Sequence, residues 1–336
     1  MPRRFSSFSR SASMPVRALT RAVFPWSICP AVPTMTFFIS LVPILLPAQT
    51  ATFRAGVTLV KVDTAVTDHA GRVISDLTQQ DFEVYDEGTR QPIVFFEHES
   101  EPLDVLLLLD VSGSMQRFLA ELAATARAAL RPLGVRDRVG VMAFARSSAV
   151  SQLFASDTSV VEDGIRRALK NQELGSGTAI NAAILSAAAY VGRQPAIARR
   201  AVLIVTDNLS LNYRIPDGQV IHALYDADAT LDALLIGKQR RPEPSKSGTY
   251  ANPDFTPSNV FKVAEQTGGE AMEARQAGES FQLMIERIRS RYRLQYAAPP
   301  AQPGELRHIR VQLAPKARSR HSQAVIRARA GYYAIQ

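Results

Sequence analysis

The chain has 336 residues, 46% of them apolar, and a formal net charge of +8. That composition excludes global disorder and leaves room for about two domains. The charge divides into +5 over residues 1–48, +10 over 287–336 and hence −7 over 49–286, so the middle of the chain lacks the basic face that a nucleic-acid-binding core requires.

Residues 1–48 hold arginines at 3, 4, 10, 17 and 21, then the apolar run FFISLVPILL (37–46), then small Ala48. Basic, apolar and small-residue regions in that order are the pattern of a cleaved export signal. The run is short for a membrane span of about 20 residues and is interrupted by Pro43. An uncleaved anchor is the alternative. The expected location is therefore the periplasm or the extracellular space. Cys29, the single cysteine, lies in this leader, which leaves the rest without a disulfide or a thiolate metal site.

Residues 52–100 read as a small β segment. Val60, Val62 and Val66 alternate onto one face, and DFEVYDEGTRQPIVFF (81–96) reads as a hairpin, two strands about a turn at Asp86–Gly88. From 101 the rhythm changes. DVLLLLD (104–110) is an apolar run without alternation, as in a parallel strand buried on both faces. A helix follows with Phe118, Leu119, Leu122, Ala126 and Leu130 on one side. Strands are predicted at 138–144, 201–207 and 231–237, and helices at 159–171 and 178–192, with three further helices up to about 290. This βαβα order predicts an α/β fold, a doubly wound and mostly parallel sheet. Residues 291–336 return to alternation, with Tyr292, Leu294 and Tyr296 on one face and Ile309, Val311 and Leu313 on another. Neither flank suffices alone. The expected arrangement is a domain over 101–290 inserted between 52–100 and 291–336, which pair into a small β-sandwich. The many arginines of the last segment read as solvated strand faces, with contact to an anionic surface as the alternative.

In a parallel sheet the strands end at one edge, where ligands bind. Three loops leave that edge carrying oxygen. They offer Asp110, Ser112 and Ser114, then Thr178 in GSGTAI (175–180), then Asp207 in VTDN (205–208). Taken singly, either serine could cap the helix near 115, Thr178 the helix near 179, and Asp207 could close an Asx turn. Together, two carboxylates and three hydroxyls form a hard-oxygen set that suits Mg²⁺ or Mn²⁺ better than zinc or copper. With so few charged donors, one position remains for an outside carboxylate.

D-x-S-x-S after an apolar strand, a glycine-flanked Thr and a strand ending in T-D together resemble a von Willebrand factor type A (vWA) domain. The resemblance covers about 101–290 and implies a Rossmann-like fold with a metal-ion-dependent adhesion site (MIDAS). It implies that Asp110, Ser112, Ser114, Thr178 and Asp207 hold the metal, Thr178 and Asp207 often through water. Asn208 stands where that family usually has Gly, and Asn tolerates the left-handed conformation. The flanking VTDHAGRVISDLTQQDFEVYDEGTRQPIVFF, YRLQYAAP and RARAGYY resemble bacterial, acidobacterial-type exported vWA-related proteins. The implied activity is metal-dependent binding of a protein or peptide that offers an acidic side chain.

Enzymatic readings find less support. A haloacid-dehalogenase-type phosphotransferase needs a second Asp where Ser112 stands, and the chain contains neither a P-loop nor a G-x-S-x-G elbow. The expectation is a protein that is not an enzyme. A structural envelope module without a functional metal is the other alternative. The basic stretch 238–256, with Lys238, Arg240, Arg241 and Lys246, is expected to leave the metal edge as a long loop and to attract an acidic partner.

Overall fold

The computed structural model describes residues 58–171, 173–209, 215–237 and 259–335. The export signal and the basic stretch 238–256 lie outside the described residues. The first flank gives β1 (Leu59–Thr67), β2 (Phe82–Asp86), β3 (Thr89–Gln91) and β4 (Ile93–His98). The middle gives β5 (Leu103–Asp110), α1 (Gln116–Ala129), β6 (Arg138–Phe144), β7 (Ser148–Ala155), α2 (Thr158–Leu169) and α3 (Ile180–Gly192). It continues with β8 (Arg199–Thr206), α4 (Asp217–Asp226), β9 (Ala229–Ile236), α5 (Val260–Thr267), β10 (Ala271–Ala274) and α6 (Ala277–Arg289). The last flank gives β11 (Tyr292–Ala297), β12 (Leu306–Leu313), α7 (Pro315–Arg320), β13 (Val325–Ala328) and β14 (Gly331–Tyr333).

The four leucines of β5 lack alternation because both faces of the strand are covered. Leu107 and Leu109 enter a core with Leu119 and Leu122 of α1, Ile165 of α2 and Phe281 and Met284 of α6. Leu106 and Leu108 enter a second core with Ile184 of α3, Leu224 of α4 and Val263 of α5. The sheet between these helix layers runs β10-β9-β8-β5-β6-β7. Its pairings are parallel except for antiparallel β7 at one edge. The doubly wound, mostly parallel α/β sheet expected from the sequence is therefore what the chain forms. The order reverses at β5. After β6 and β7 on one side, the chain returns to place β8 on the other, which opens a crevice at the carboxyl ends of β5 and β8.

The flanks form two antiparallel four-stranded sheets, β13-β1-β11-β4 and β14-β12-β2-β3. They share one core, with Val60, Val62, Val66, Tyr292, Leu294 and Tyr296 facing Phe82, Val84, Ile309, Leu313 and Tyr332. β1 of the first flank pairs with β11 and β13 of the last. At the centre, Asp86 accepts hydrogen bonds from the hydroxyls of Tyr296 (2.8 Å) and Tyr332 (2.9 Å) and from Arg307 Nε (2.8 Å).

Three readings of the sequence need correction here. The second strand expected within 89–96 is two strands in different sheets, because Pro92 has no N–H to donate and the chain turns the corner there. The short helix α7 was not expected, since PKARSR carries a single buried residue, Ala317, and no apolar period. The basic residues of the last flank are not all solvated. Arg291 and Arg293 are buried and Arg307 nearly so.

Arg291 and Arg293 form a seam between the amino edge of the six-stranded sheet and the sandwich. Arg291 bonds Asp232 of β9 at 2.5 Å and Thr230 Oγ1 at 2.8 Å. Arg293 bonds Asp63 of β1 at 2.8 Å and lies 3.2 Å from Glu101. Arg199, the first residue of β8, donates to the carbonyls of Arg289 and Arg291. Gly268 closes α5 at φ +84°, where an added Cβ would lie 2.5 Å from the nitrogen of Arg329. Only glycine permits that approach of the two parts.

Candidate metal site

Asp110 ends β5 with no exposed surface. The chain leaves it through Val111, whose N–H donates to the Phe144 carbonyl at 2.9 Å, and makes a short 3-10 turn (Gly113–Met115) before α1. This turn brings residue 112 back over the carboxylate, and the Ser112 N–H donates to Asp110 Oδ1 at 3.1 Å. The other oxygen, Oδ2, accepts from the Thr206 hydroxyl at 2.7 Å. Thr206 is the last residue of β8, the neighbour of β5, and is fully buried. Across the same crevice Ser114 Oγ donates to Asp207 Oδ2 at 2.6 Å, and Ser112 Oγ lies 3.3 Å from Ser114 Oγ. Asp207 Oδ1 accepts from the Leu209 N–H at 3.1 Å. Four of the five expected residues thus meet through hydrogen bonds at the switch point of the sheet.

Thr178 sits on the third loop, only 7% exposed. That loop is tied to the end of β6, with Ala179 N–H on the Ala145 carbonyl (2.8 Å) and Ser147 N–H on the Leu174 carbonyl (3.0 Å). Gly175 and Gly177, at φ +78° and +99°, give it the tight path that delivers Thr178 to the same sheet edge.

The local alternatives can be weighed residue by residue. Ser112 opens the 3-10 turn without a side-chain capping bond, and the caps of α1 and α3 are Met115 and Ala179, neither with a side-chain bond. Capping therefore does not account for the hydroxyls of Ser112 or Ser114. Asp207 does make the Asx-type bond with one oxygen and uses the other to take Ser114.

The groups acting on Asp110 are hydroxyls, an N–H and a second carboxylate. Burial pushes its pKa above the ordinary value, the charge of Asp207 adds to that, and the hydrogen bonds from Thr206 and Ser112 work against it. Two carboxylates brought together in this way, with hydroxyl oxygens beside them and Ser114 open to solvent, suit a hard divalent cation. Such an ion would offset both the burial and the mutual repulsion. Two further residues matter: Thr206, which the sequence reading left out, and Asn208, which it noted only as a departure from the family pattern. Thr206 orients Asp110. Asn208 donates its N–H to Thr206 Oγ1 at 3.1 Å, and the sign was the T-D-N order closing an apolar strand. Asn208 adopts φ +57°, the left-handed conformation expected for it.

Residues 105–209 match the family model of the von Willebrand factor type A domain. The chain carries a vWA domain. That match spans β5 to the turn after β8 and includes all five expected site residues. No curated protein matches the chain. Among solved structures, the vWA domain and its surroundings are similar to the conserved hypothetical protein BatB from Bacteroides thetaiotaomicron. The identity is 18% over 55% of this chain and 97% of that one, with a TM-score of 0.41. A von Willebrand factor type A protein from Catenulispora acidiphila is 12% identical over 84% of this chain and 75% of its own, with a TM-score of 0.43. Proximal thread matrix protein 1 from mussel byssus, in a form whose MIDAS motif is occupied by zinc, is 14% identical over 57% and 49%, with a TM-score of 0.41.

Proposed function

We propose that the vWA domain binds Mg²⁺ or Mn²⁺ through Asp110, Ser112, Ser114, Thr178 and Asp207, and through it takes up an acidic side chain of a protein or peptide partner. The observation that carries this is the Ser112–Ser114–Asp207 chain of oxygens lying across the crevice from Asp110, with no capping duty to explain its serines. When bound, the cation supplies an electrophilic position for a carboxylate from outside. The protein's own part is positioning. Thr206 and the Ser112 N–H hold one bond on each Asp110 oxygen, which leaves a lone pair free on each. Exposed Ser114 marks the side from which a partner reaches the site.

The reading is of a binding module rather than an enzyme, exported to the periplasm or beyond. Export rests on the basic–apolar–small order of residues 1–48. Among the described residues no helix is long and apolar enough to cross a membrane. The resemblance of both flanks to acidobacterial-type exported vWA-related proteins supports the same reading.

The test is calorimetric titration of Mn²⁺ into the wild-type protein and Asp110→Ala, followed by a pull-down from envelope extracts in Mg²⁺ or EDTA. Saturable binding by the wild type alone, with a partner retained in Mg²⁺ and lost in EDTA, is expected. Equal Mn²⁺ titrations for both proteins would leave a structural module without a functional metal.

A further inference from the structure

Two exposed side chains flank the candidate site, and they differ in chemistry. On the β8 side stands Leu209. Its N–H is fixed to Asp207 Oδ1 at 3.1 Å, which holds the residue at the site's own loop, yet it is 67% exposed. Any residue but proline could make that backbone bond, so the bond does not explain a leucine. On the β6 side stands Arg146, in the turn between β6 and β7. The carbonyl of Ala145 beside it takes the N–H of Ala179, the residue after Thr178. The stem of Arg146 runs over Gly175 of the Thr178 loop, with Cβ and Cδ 3.3 and 3.6 Å from where a Cβ of residue 175 would lie. Arg146 is exposed and, among the described residues, pairs with no acid, the exposed Glu173 of the same loop included. β5, which carries Asp110, lies between β8 and β6 in the sheet. The ground between the two side chains is low. Gly113, Ser114, Gly175 and Ser176 are small and exposed, and a Cβ at Gly113 would meet nothing within 4 Å.

We propose that Leu209 and Arg146 set the specificity of the site. The partner segment is extended and carries an apolar side chain for Leu209, a carboxylate for the metal and a second acid for Arg146. The proposal rests on the metal reading above, and it leaves the metal's outside position to the central acid of the partner. From β8 to β6 is about 10 Å, and three alternate residues of an extended segment share one face over about 13 Å. A segment that crosses the strand ends can therefore set one side chain on each of the three places. Covering Leu209 with an apolar side chain removes apolar surface from water on both partners. An ion pair with Arg146 at the rim adds discrimination and speeds association.

The test uses the full chain in saturating Mg²⁺ and short peptides with blocked ends, read by NMR titration. The probes are Leu-Gly-Asp-Gly-Glu and its reverse, each also made with Gly for Leu and with Gln for Glu. The better of the two orders should bind wild type, and Asp110→Ala should abolish that binding. Leu209→Ser should weaken the parent peptide about fivefold and leave the peptide without Leu unchanged. Arg146→Gln should weaken the parent peptide about threefold, less at high salt, and leave the Gln peptide unchanged. Both variants should keep the wild-type Mn²⁺ affinity by calorimetry. Losses that do not depend on the matching peptide side chain, or no loss at all, would show that neither residue reads the partner, while the metal reading stands. A wild type that binds Mn²⁺ but none of these peptides would overturn the proposal in the same way. If wild type takes up no Mn²⁺, the metal reading falls and this proposal falls with it.

Discussion

The two edges of the six-stranded sheet treat their carboxylates in opposite ways. At the amino edge, Asp232 and Asp104 of the sheet and Asp63 of the adjoining β1 each receive an arginine, from Arg291, Arg138 and Arg293. At the carboxyl edge, Asp110 receives two neutral donors and faces another carboxylate. The consequence shows in Asp63, while at Asp232 burial outweighs Arg291 and still raises the pKa. Burial works to raise Asp63, but the charges of Arg293 and Arg199 outweigh it and hold its pKa at about 2. Burial raises Asp110, and among the described residues no cation answers it. An acid supplied with its own arginine is part of the framework. An acid buried without one is, on the function proposed above, a place for a cation from outside.

The sharpest way to break this contrast is at the seam. Arg291 and Asp232 are 3% and 0% exposed, so removing one partner strands a buried charge. Arg291→Ala should cost about 3–5 kcal/mol, read as a lowered urea midpoint. The double variant Arg291→Met/Asp232→Leu should recover most of that loss, because no unpaired charge remains. A single variant as stable as wild type would mean that water reaches Asp232 and that the seam is not dry.

A second, smaller effect separates the edges by pH. Asp63 has a folded pKa of about 2 against the ordinary 3.8. Its contribution to stability is therefore fully present above 3.8 and is lost as pH falls through about 2. The size is on the order of 2 kcal/mol. Acid unfolding of wild type should steepen between about pH 4 and pH 2, and Asp63→Asn should be less stable at neutral pH and flatter across that window. Parallel acid curves for the two proteins would remove Asp63 from the seam.

Much of one edge was legible in the sequence and little of the other. D-x-S-x-S, Thr178 and T-D each follow the end of an element, so strand order alone carries them to one crevice. The leucines of β5, buried on both faces, gave the sheet its clearest mark. The seam is assembled from residues as distant as Asp63 and Arg293, and an arginine between Tyr292 and Leu294 reads as the wet side of a strand. It is dry because the α/β domain covers it, a fact of tertiary packing that no local period records. Thr206 and Asn208 were hidden for a different reason. Their part in the site is a hydrogen-bond relay, visible only once β8 lies beside β5.

That relay gives a third test, now at the carboxyl edge. Thr206→Val keeps the shape of a fully buried side chain but leaves Asp110 Oδ2 and the Asn208 N–H each short of a partner. A loss of about 1–2 kcal/mol is expected in EDTA. Mn²⁺ affinity should fall about tenfold, as for loss of a group that orients a ligand. If affinity holds while stability drops, Thr206 supports the fold without orienting Asp110.

The smallest effect carries the opposite sign and bears most directly on the contrast. In the metal-free protein Asp110 is a buried carboxylate with hydroxyl and N–H donors, and its charge is opposed by that of Asp207. Asp110→Asn keeps the size and one acceptor oxygen and removes the charge. At the seam such a change would strand an arginine, whereas here it strands none. The variant should match wild type or exceed it by up to about 1 kcal/mol in EDTA at neutral pH, read by urea unfolding. In Mn²⁺ the order should invert, because the wild type gains stability from bound metal and the variant does not. A variant that is clearly less stable than wild type in EDTA would show that Asp110 is held by a stabilising partner after all. The carboxyl edge would then be framework like its opposite.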